Sequence, residues 1–203
     1  MLDIFTKLLD HLLPPHPSIL RLRKEKPEDF LHFFSPQKYG NCVYLSNYSN
    51  NLINLAIKAN KFHNNHHASK LLSTLLNKWL KSLPKKPTIL VPIPLTKKHE
   101  RDRGYNQVLR ILQNLETNEQ NLILNLLSKT RDTVSQTKLN RQQRLNNQAG
   151  VFGFAKPDID IKSYRVILVD DVVTTGATMS SAYKVLRKNL PKDTEILCLA
   201  LAH

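Results

Sequence analysis

Two adjacent carboxylates and a small, hydroxyl-rich turn stand together near the carboxyl end of the chain. Asp170 and Asp171 follow the apolar run VILV, which is typical of a buried strand. The turn comes after two valines and consists of Thr174, Thr175, Gly176, Ala177 and Thr178. A turn between a strand and a helix presents free backbone N–H groups at the positive end of the helix dipole. Small residues let an anion approach the backbone, so the pattern predicts a cradle for a monophosphate.

The two carboxylates predict a second contact for the same ligand. A carboxylate beside a phosphate is unfavourable unless it binds something else, and a sugar diol or Mg²⁺ would satisfy it. In the alternative interpretation the aspartates only cap the following helix, but a cap needs one carboxylate rather than two. The lysine of a Walker-type loop is missing, which argues against a triphosphate loop of that kind. We therefore expect a phosphorylated sugar here, with Asp170 and Asp171 as metal ligands.

A second cluster of charge follows the apolar segment TILVPIPL at 88–95, which predicts a buried strand ending in a stiff loop. Its cations are Lys97, Lys98, Arg101 and Arg103. These side chains suit a group that carries several negative charges, and Gly104 gives the loop freedom to close. In the alternative, this is a solvated turn in which Glu100 and Asp102 pair with the arginines.

The charge balance of the whole chain favours a polyanionic partner. Thirty Lys and Arg residues stand against sixteen Asp and Glu residues, a net charge of +14 over 203 residues. Residues 30–99 contain no acidic side chain. Such an excess attracts polyanions through counterion release, although a solvated lysine- and asparagine-rich surface is the alternative. The candidate contacts are Lys70, Lys78 and Lys81 on a predicted helix, and Arg141 and Arg144 in a polar segment.

The hydrophobic pattern predicts an α/β fold with a mostly parallel sheet flanked by helices. Helices are expected at 1–13, 50–62, 68–83, 105–115, 139–148 and 179–190, with a short one near 27–34. Strands are expected at 42–46, 88–95, 164–170 and 194–202, and 121–130 is ambiguous between helix and strand. We expect a helical and irregular lead-in over 1–47 and the main domain over 48–203. In such a sheet, ligands bind outside the carboxyl ends of the strands.

Cysteine usage and hydropathy suggest the compartment. Cys42 and Cys198 are the only cysteines, which excludes a disulfide framework and fits a reducing environment. HNNHH at 63–67 is expected to be a solvated loop rather than a metal site. The chain has no run of about 18 apolar residues, and Asp3 and Asp10 interrupt its apolar start. We therefore expect a cytoplasmic protein without membrane insertion.

Several ordered motifs carry a resemblance to a known family. VILVDDVVTTGAT (166–178) resembles the phosphoribosyl diphosphate (PRPP) motif of type I phosphoribosyltransferases. More narrowly, three segments resemble those of the ComF proteins of bacterial DNA uptake. They are AIKANKFHNN (56–65), VPIPLTKKHERDRGYNQ (91–107) and QTKLNRQQRLNNQAGVF (136–152). The resemblance implies a type I phosphoribosyltransferase-like sheet.

The resemblance also implies a ligand and roles for the candidate residues. PRPP with Mg²⁺ would be held by the turn 174–178 together with Lys97, Lys98 and Arg101. Asp170, Asp171 and Arg103 would act at the reacting centre if the protein turns over. The family implies that single-stranded DNA is assisted during import for natural transformation, with a helicase-like protein as a partner. Single strands would then contact Lys70, Lys78, Lys81, Arg141 and Arg144.

Two other functions remain open at this point. One is a salvage phosphoribosyltransferase that makes a nucleotide from PRPP and a nucleobase or amine. The other is a PRPP-sensing regulator that binds DNA without turnover. The sequence leaves the acceptor and the oligomeric state undetermined.

The chain departs from related proteins at two places. Many ComF proteins begin with a Cys₄ zinc module, whereas this chain has one cysteine before residue 198, so no zinc is expected. Purine phosphoribosyltransferases often begin the turn with a third carboxylate, and Thr174 stands there in this chain. Its absence removes one contact to a purine, and no aromatic clamp for a base can be placed from the sequence.

Overall fold

The computed structural model describes residues 17–116, 121–130 and 150–203. The helices are α1 (Pro17–Lys24), α2 (Pro27–Phe30), α3 (Asn51–His63), α4 (His66–Ser82), α5 (Lys97–Arg103), α6 (Gln107–Leu112) and α7 (Ala177–Asn189), with a 3₁₀ turn at Leu31–Phe33. The strands are β1 (Gln37–Tyr39), β2 (Cys42–Ser46), β3 (Thr88–Pro92), β4 (Asn121–Ile123), β5 (Leu127–Lys129), β6 (Phe152–Phe154), β7 (Arg165–Val172) and β8 (Ile196–Ala202).

Six of the described strands form one sheet in the order β1-β2-β8-β7-β3-β4. Only the β1–β2 pair is antiparallel within this sheet, and the other neighbours are parallel. β7 lies between β3 and β8, with Leu168 opposite Val91 on one side and Cys198 on the other. Residues 165–169 of β7 are buried, as expected for a parallel strand covered on both faces. The expected α/β fold, a mostly parallel sheet flanked by helices, is confirmed.

Two apolar layers cover the faces of the sheet. One contains α3, α4 and α6, and its largest contribution is the buried stripe of α4. The members of that stripe are Leu71, Leu72, Leu75, Leu76 and Trp79, at the helical spacing that the sequence shows. The other layer contains α7 and the antiparallel pair β5–β6. Together these layers fix the carboxyl end of β7 between α6 on one side and the start of α7 on the other.

Several elements differ from the sequence-based expectation. The cationic segment expected to form a loop is the helix α5, because the Thr96 side chain accepts a hydrogen bond from the His99 N–H (3.3 Å) at its start. Gly104 ends this helix with φ 80°, a left-handed conformation that glycine adopts without strain. The ambiguous segment 121–130 forms two short strands, β4 and β5.

The amino-terminal part is more ordered than the expected irregular lead-in. α1, α2 and β1 lie within the lead-in that was expected over 1–47. β2 pairs with β8 inside the main sheet, although it precedes the predicted boundary at residue 48. That division into two parts stays a prediction. The predicted helices 1–13 and 139–148 lie outside the described residues. None of the described helices is both long and apolar enough to cross a membrane.

Candidate phosphate and carboxylate site

The paired aspartates lie at the carboxyl end of β7, in the middle of the sheet. Asp171 is buried, with 4% of its surface exposed, and Asp170 is half-buried. The Asp170 Oδ1 accepts the backbone N–H of Asp171 at 2.9 Å, and the Asp171 Oδ1 accepts that of Val172 at 2.9 Å. These bonds leave one oxygen of each carboxylate for other partners. The position agrees with the rule that ligands bind at the carboxyl ends of parallel strands.

The predicted phosphate turn connects these carboxylates to α7. Gly176 is the N-cap of α7 with φ 73°, and as a glycine it has no side chain to cap the helix. A small cleft of about 40 Å³ lies over the turn and is lined by Asp170 and residues 172–179. The structure therefore brings Asp170 together with all five predicted turn residues. The first-turn N–H groups of α7 and the positive end of its dipole suit an anion in this cleft.

Two side chains from other elements contact Asp171, and a third is joined to it through one of them. Gln107 donates from its Nε2 to the Asp171 Oδ2 at 3.2 Å, and the Lys61 Nζ lies 3.9 Å from the same oxygen. The Oε1 of Gln107 accepts a hydrogen bond from the Arg103 guanidinium. We call Lys61, Arg103, Gln107 and Asp171 the Asp171 network. Arg103 was predicted to act here, and the network connects it to the carboxylate through Gln107.

Sequence reasoning missed Lys61 and Gln107 as site residues. Both lie in motif segments that carried the family resemblance, at 56–65 and 91–107, and that co-occurrence was the available signal. Neither local pattern shows that the two segments meet at β7. Gln107 is 5% exposed, so its amide is committed to these partners rather than to solvent.

The same two segments are joined by further hydrogen bonds. The Tyr105 hydroxyl donates to the Asn60 carbonyl at 2.6 Å and accepts from the Asn64 N–H at 3.0 Å. The Asn60 side chain donates to the carbonyl of Gln107 at 3.0 Å. Asn106 caps α6 and donates to the Ile93 carbonyl at 2.9 Å. These bonds hold α6 between α3 and the end of β3, which fixes the position of Gln107.

The electrostatics of the strand end favour a bound cation. Burial and the neighbouring charge of Asp171 raise the pKa of Asp170 well above its usual range, while Lys61 lowers it. The pair is thus short of positive charge. Hard carboxylate oxygens beside a phosphate cleft are the donors that Mg²⁺ takes, so the residues present fit this ion. Among the described residues, no group of three His, Cys, Asp and Glu side chains could hold a metal, and phosphate oxygens or water would complete the coordination.

The other predicted cations of α5 are exposed, and none of the described contacts joins them to this network. Arg101 lies 3.9 Å from Asp102, and both side chains are more than half exposed. Lys97 and Lys98 are exposed on the same helix. In the part of the chain that the structure describes, only Arg103 of this set is joined to Asp171. Arg101 thus agrees with the alternative of a solvated segment in which an acidic neighbour pairs with the arginine. A pyrophosphate role for Lys97, Lys98 and Arg101 stays a prediction.

The predicted nucleic-acid residues of α4 all lie on its exposed face. Lys70 is exposed, the Lys78 Nζ lies 4.7 Å from the centre of the Phe34 ring, and the Lys81 Nζ lies 2.7 Å from Glu116. Two of the three lysines thus have partners within the chain. Arg141 and Arg144 lie outside the described residues. The DNA role of these five residues stays a prediction.

Comparison with known proteins identifies relatives, although no family model matches. The chain is 30% identical over 157 residues to competence protein F of Haemophilus influenzae, covering 74% of this chain and 68% of that one. It is 31% identical over 106 residues to competence protein ComFC of Bacillus subtilis (52% and 41%). It is 28% identical over 114 residues to the DNA utilization protein YhgH of Escherichia coli K12 (56% and 49%). The matched region thus spans less than half of the last two proteins.

Among solved structures, a hypoxanthine phosphoribosyltransferase from Staphylococcus aureus matches with a TM-score of 0.38 and 16% identity, over 66% of this chain and 63% of that one. A likeness at this level bears on neither fold nor function. The sequence relatives are decisive, because the match to competence protein F extends over most of both chains. The chain therefore belongs to the family of competence protein F and ComFC.

Proposed function

We propose that this protein binds PRPP together with Mg²⁺ at the β7–α7 junction and handles single-stranded DNA during DNA uptake. The observation that carries the first part is the cleft over the turn. Asp170 and residues 172–179 line it, and Asp171 lies beside it with its own set of partners. The cleft thus has backbone donors for a phosphate and, from Asp170, oxygens for a diol or a cation.

Each part of the site has a defined role in binding PRPP in this proposal. The first-turn N–H groups of α7 bind the 5′-phosphate of PRPP, assisted by the threonine hydroxyls of the turn. The paired carboxylates hold the ribose diol and Mg²⁺, and the ion when bound offsets the charge of the pyrophosphate oxygens. Gln107 holds the Asp171 Oδ2 in one orientation and keeps the Arg103 guanidinium next to it.

The DNA role is supported by the relatives and by charge. The relatives are named as proteins of competence and of DNA utilization. The net charge of +14 favours a polyanion, and Lys70, Lys78 and Lys81 lie on one exposed helix face. Lysines along a surface bind the phosphates of a single strand without reading its sequence.

Thermal unfolding with PRPP and Mg²⁺ tests the sugar site. At about one hundred times its Kd, PRPP should stabilise the protein by about 2.7 kcal/mol and raise Tm by about 5–10 °C. Asp170→Asn with Asp171→Asn should abolish this shift. The matched control is Asp158→Asn with Asp160→Asn, which removes the same charge from an exposed segment. An unchanged shift in the first double variant would reject the sugar site.

Binding of labelled oligonucleotides tests the DNA role. The protein should bind single strands better than duplexes, and Lys70→Glu, Lys78→Glu and Lys81→Glu together should weaken binding and flatten its salt dependence. Equal affinity for duplex and single strand would favour the DNA-binding regulator. Pyrophosphate release on adding a panel of nucleobases would favour the salvage enzyme.

A further inference from the structure

Phe62 presents an exposed aromatic ring beside the Asp171 network. The residue lies in the last turn of α3 and is 63% exposed, more than any other exposed large apolar side chain in the described ranges. The next is Tyr39, at 44%. A single exposed apolar side chain is ordinary on a protein surface, so exposure alone assigns no role to the ring.

Two cations flank the ring. The Lys61 Nζ lies 5.7 Å and the Arg103 Cζ 5.8 Å from its centroid, both within the range of a cation–π interaction. Lys61 comes from α3, whereas Arg103 comes from α5, so the arrangement depends on the packing of two helices. The ring therefore has positive charge beside it and an accessible surface.

The same two cations belong to the Asp171 network. The Lys61 Nζ is 3.9 Å from the Asp171 Oδ2, and Arg103 reaches Asp171 through Gln107. Phe62 is thus adjacent to the cationic side of the proposed PRPP site. By contrast, the Lys78 and Lys81 side chains on α4 contact Phe34 and Glu116, and none of the described residues of α4 presents an exposed aromatic ring to them.

We propose that Phe62 stacks against a base of single-stranded DNA while Lys61 and Arg103 bind the adjacent phosphates. This inference rests on the proposed function and places one DNA contact next to the sugar site. An exposed ring accepts any base, because every base has a π-face, and paired bases within a duplex are not available to it. Cations beside the ring neutralise the backbone that carries the stacked base.

A consequence concerns PRPP. In this proposal Lys61 and Arg103, which lie on the Asp171 side of the sugar site, also face the pyrophosphate of bound PRPP. The two ligands then share these cations, so each weakens the binding of the other. The coupling is reciprocal, because linkage requires that both affinities change by the same factor. Saturating PRPP should therefore lower the affinity for single strands.

Fluorescence anisotropy with a labelled oligothymidylate tests the proposal. Phe62→Ala should weaken binding by about five- to 150-fold, the range for losing one stacked base. The salt dependence should not change, because no charge is lost. Arg103→Met should weaken binding and reduce the salt slope by about 0.7, the value for one phosphate contact on a single strand. Phe62→Trp should retain the affinity, and its fluorescence should be quenched by the oligonucleotide.

The control and the contrary outcomes separate this inference from the proposed function. Ile159→Ala removes another exposed apolar side chain, 41% exposed, and should bind like the original protein. Unchanged affinity in Phe62→Ala would overturn the stacking contact while leaving the PRPP-dependent shift and DNA binding intact. An equal loss of affinity for duplex DNA in Phe62→Ala would also overturn the stacking contact. If saturating PRPP leaves the affinity for single strands unaltered, the two ligands do not share Lys61 and Arg103. No binding of single strands by the original protein would reject the DNA role itself.

Discussion

Replacing Gln107 by leucine should uncouple Arg103 from Asp171. Gln107 is 5% exposed and donates to the Asp171 Oδ2 at 3.2 Å while accepting from Arg103. Leucine has similar bulk and no polar atoms, so both hydrogen bonds disappear without a large cavity. The Asp171 Oδ2 then keeps Lys61, 3.9 Å away, as its remaining described partner.

The expected cost follows from the burial of the carboxylate. A hydrogen bond to a charged group contributes about 1.5–3 kcal/mol, and Asp171 is only 4% exposed, so water does not replace the lost donor fully. Arg103 is half-buried and can be solvated in place of its lost acceptor. We therefore expect a loss of about 2 kcal/mol in the free energy of unfolding, which lowers Tm by about 4–8 °C.

PRPP binding should weaken in the same variant. With neither Asp171 nor Arg103 held in place, PRPP with Mg²⁺ must order both groups on binding. A tenfold rise in Kd, equivalent to about 1.4 kcal/mol, is the expected order of magnitude. Isothermal titration calorimetry well below Tm measures this affinity separately from stability.

A control variant and a double variant make the experiment decisive. Gln113→Leu alters an exposed glutamine just after α6 and should change neither Tm nor PRPP affinity. A double-mutant cycle of Gln107→Leu and Asp171→Asn should show coupling of at least about 0.5 kcal/mol, because the two groups touch. Gln107 does not position Asp171 if Gln107→Leu has the same Tm as the original protein. The same conclusion follows if the losses in the free energy of unfolding from Gln107→Leu and Asp171→Asn are simply additive.

Two more predictions concern groups on or near β7. Burial raises the pKa of the Cys42 and Cys198 thiols to about 12, so Ellman's reagent should modify them about a thousandfold more slowly than in the unfolded chain at neutral pH. Rapid modification of the folded protein would contradict the raised pKa of the thiols. The unfolded chain releases these protons more readily, so the free energy of unfolding should fall as pH rises from about 9 to 12. Gly176→Ala should lower the free energy of unfolding by about 1–2 kcal/mol, because its φ of 73° is unfavourable for alanine. The new Cβ would meet no atom within 4 Å, so no steric clash adds to this cost. The variant should also reduce the PRPP-dependent shift in Tm. Gly40→Ala, at φ 57°, should cost a similar amount without affecting that shift, and equal PRPP responses in both variants would contradict the role of the turn.

Local signals in the sequence were sufficient for the main elements. α4 is buried along one face and β7 on both faces. Each therefore shows its apolar residues in a regular pattern that can be read from the segment alone. The turn at 174–178 was recognisable because its residue types satisfy a local requirement for donors and small side chains. α5 was missed because its helix depends on two end residues, Thr96 and Gly104, around a segment with none of its residues buried.

The candidate site divides in the same way. The sequence by itself determined the paired carboxylates, the small hydroxyl-rich turn that is predicted to bind an anion, and the basic character, since each is a property of neighbouring residues or of composition. Only the tertiary structure decided that Lys61 and Gln107 contact Asp171 and that the Phe62 ring lies beside both Lys61 and Arg103. These contacts exist because α3 and α6 pack against the end of β7, and the packing of distant segments leaves no periodic signal in either one.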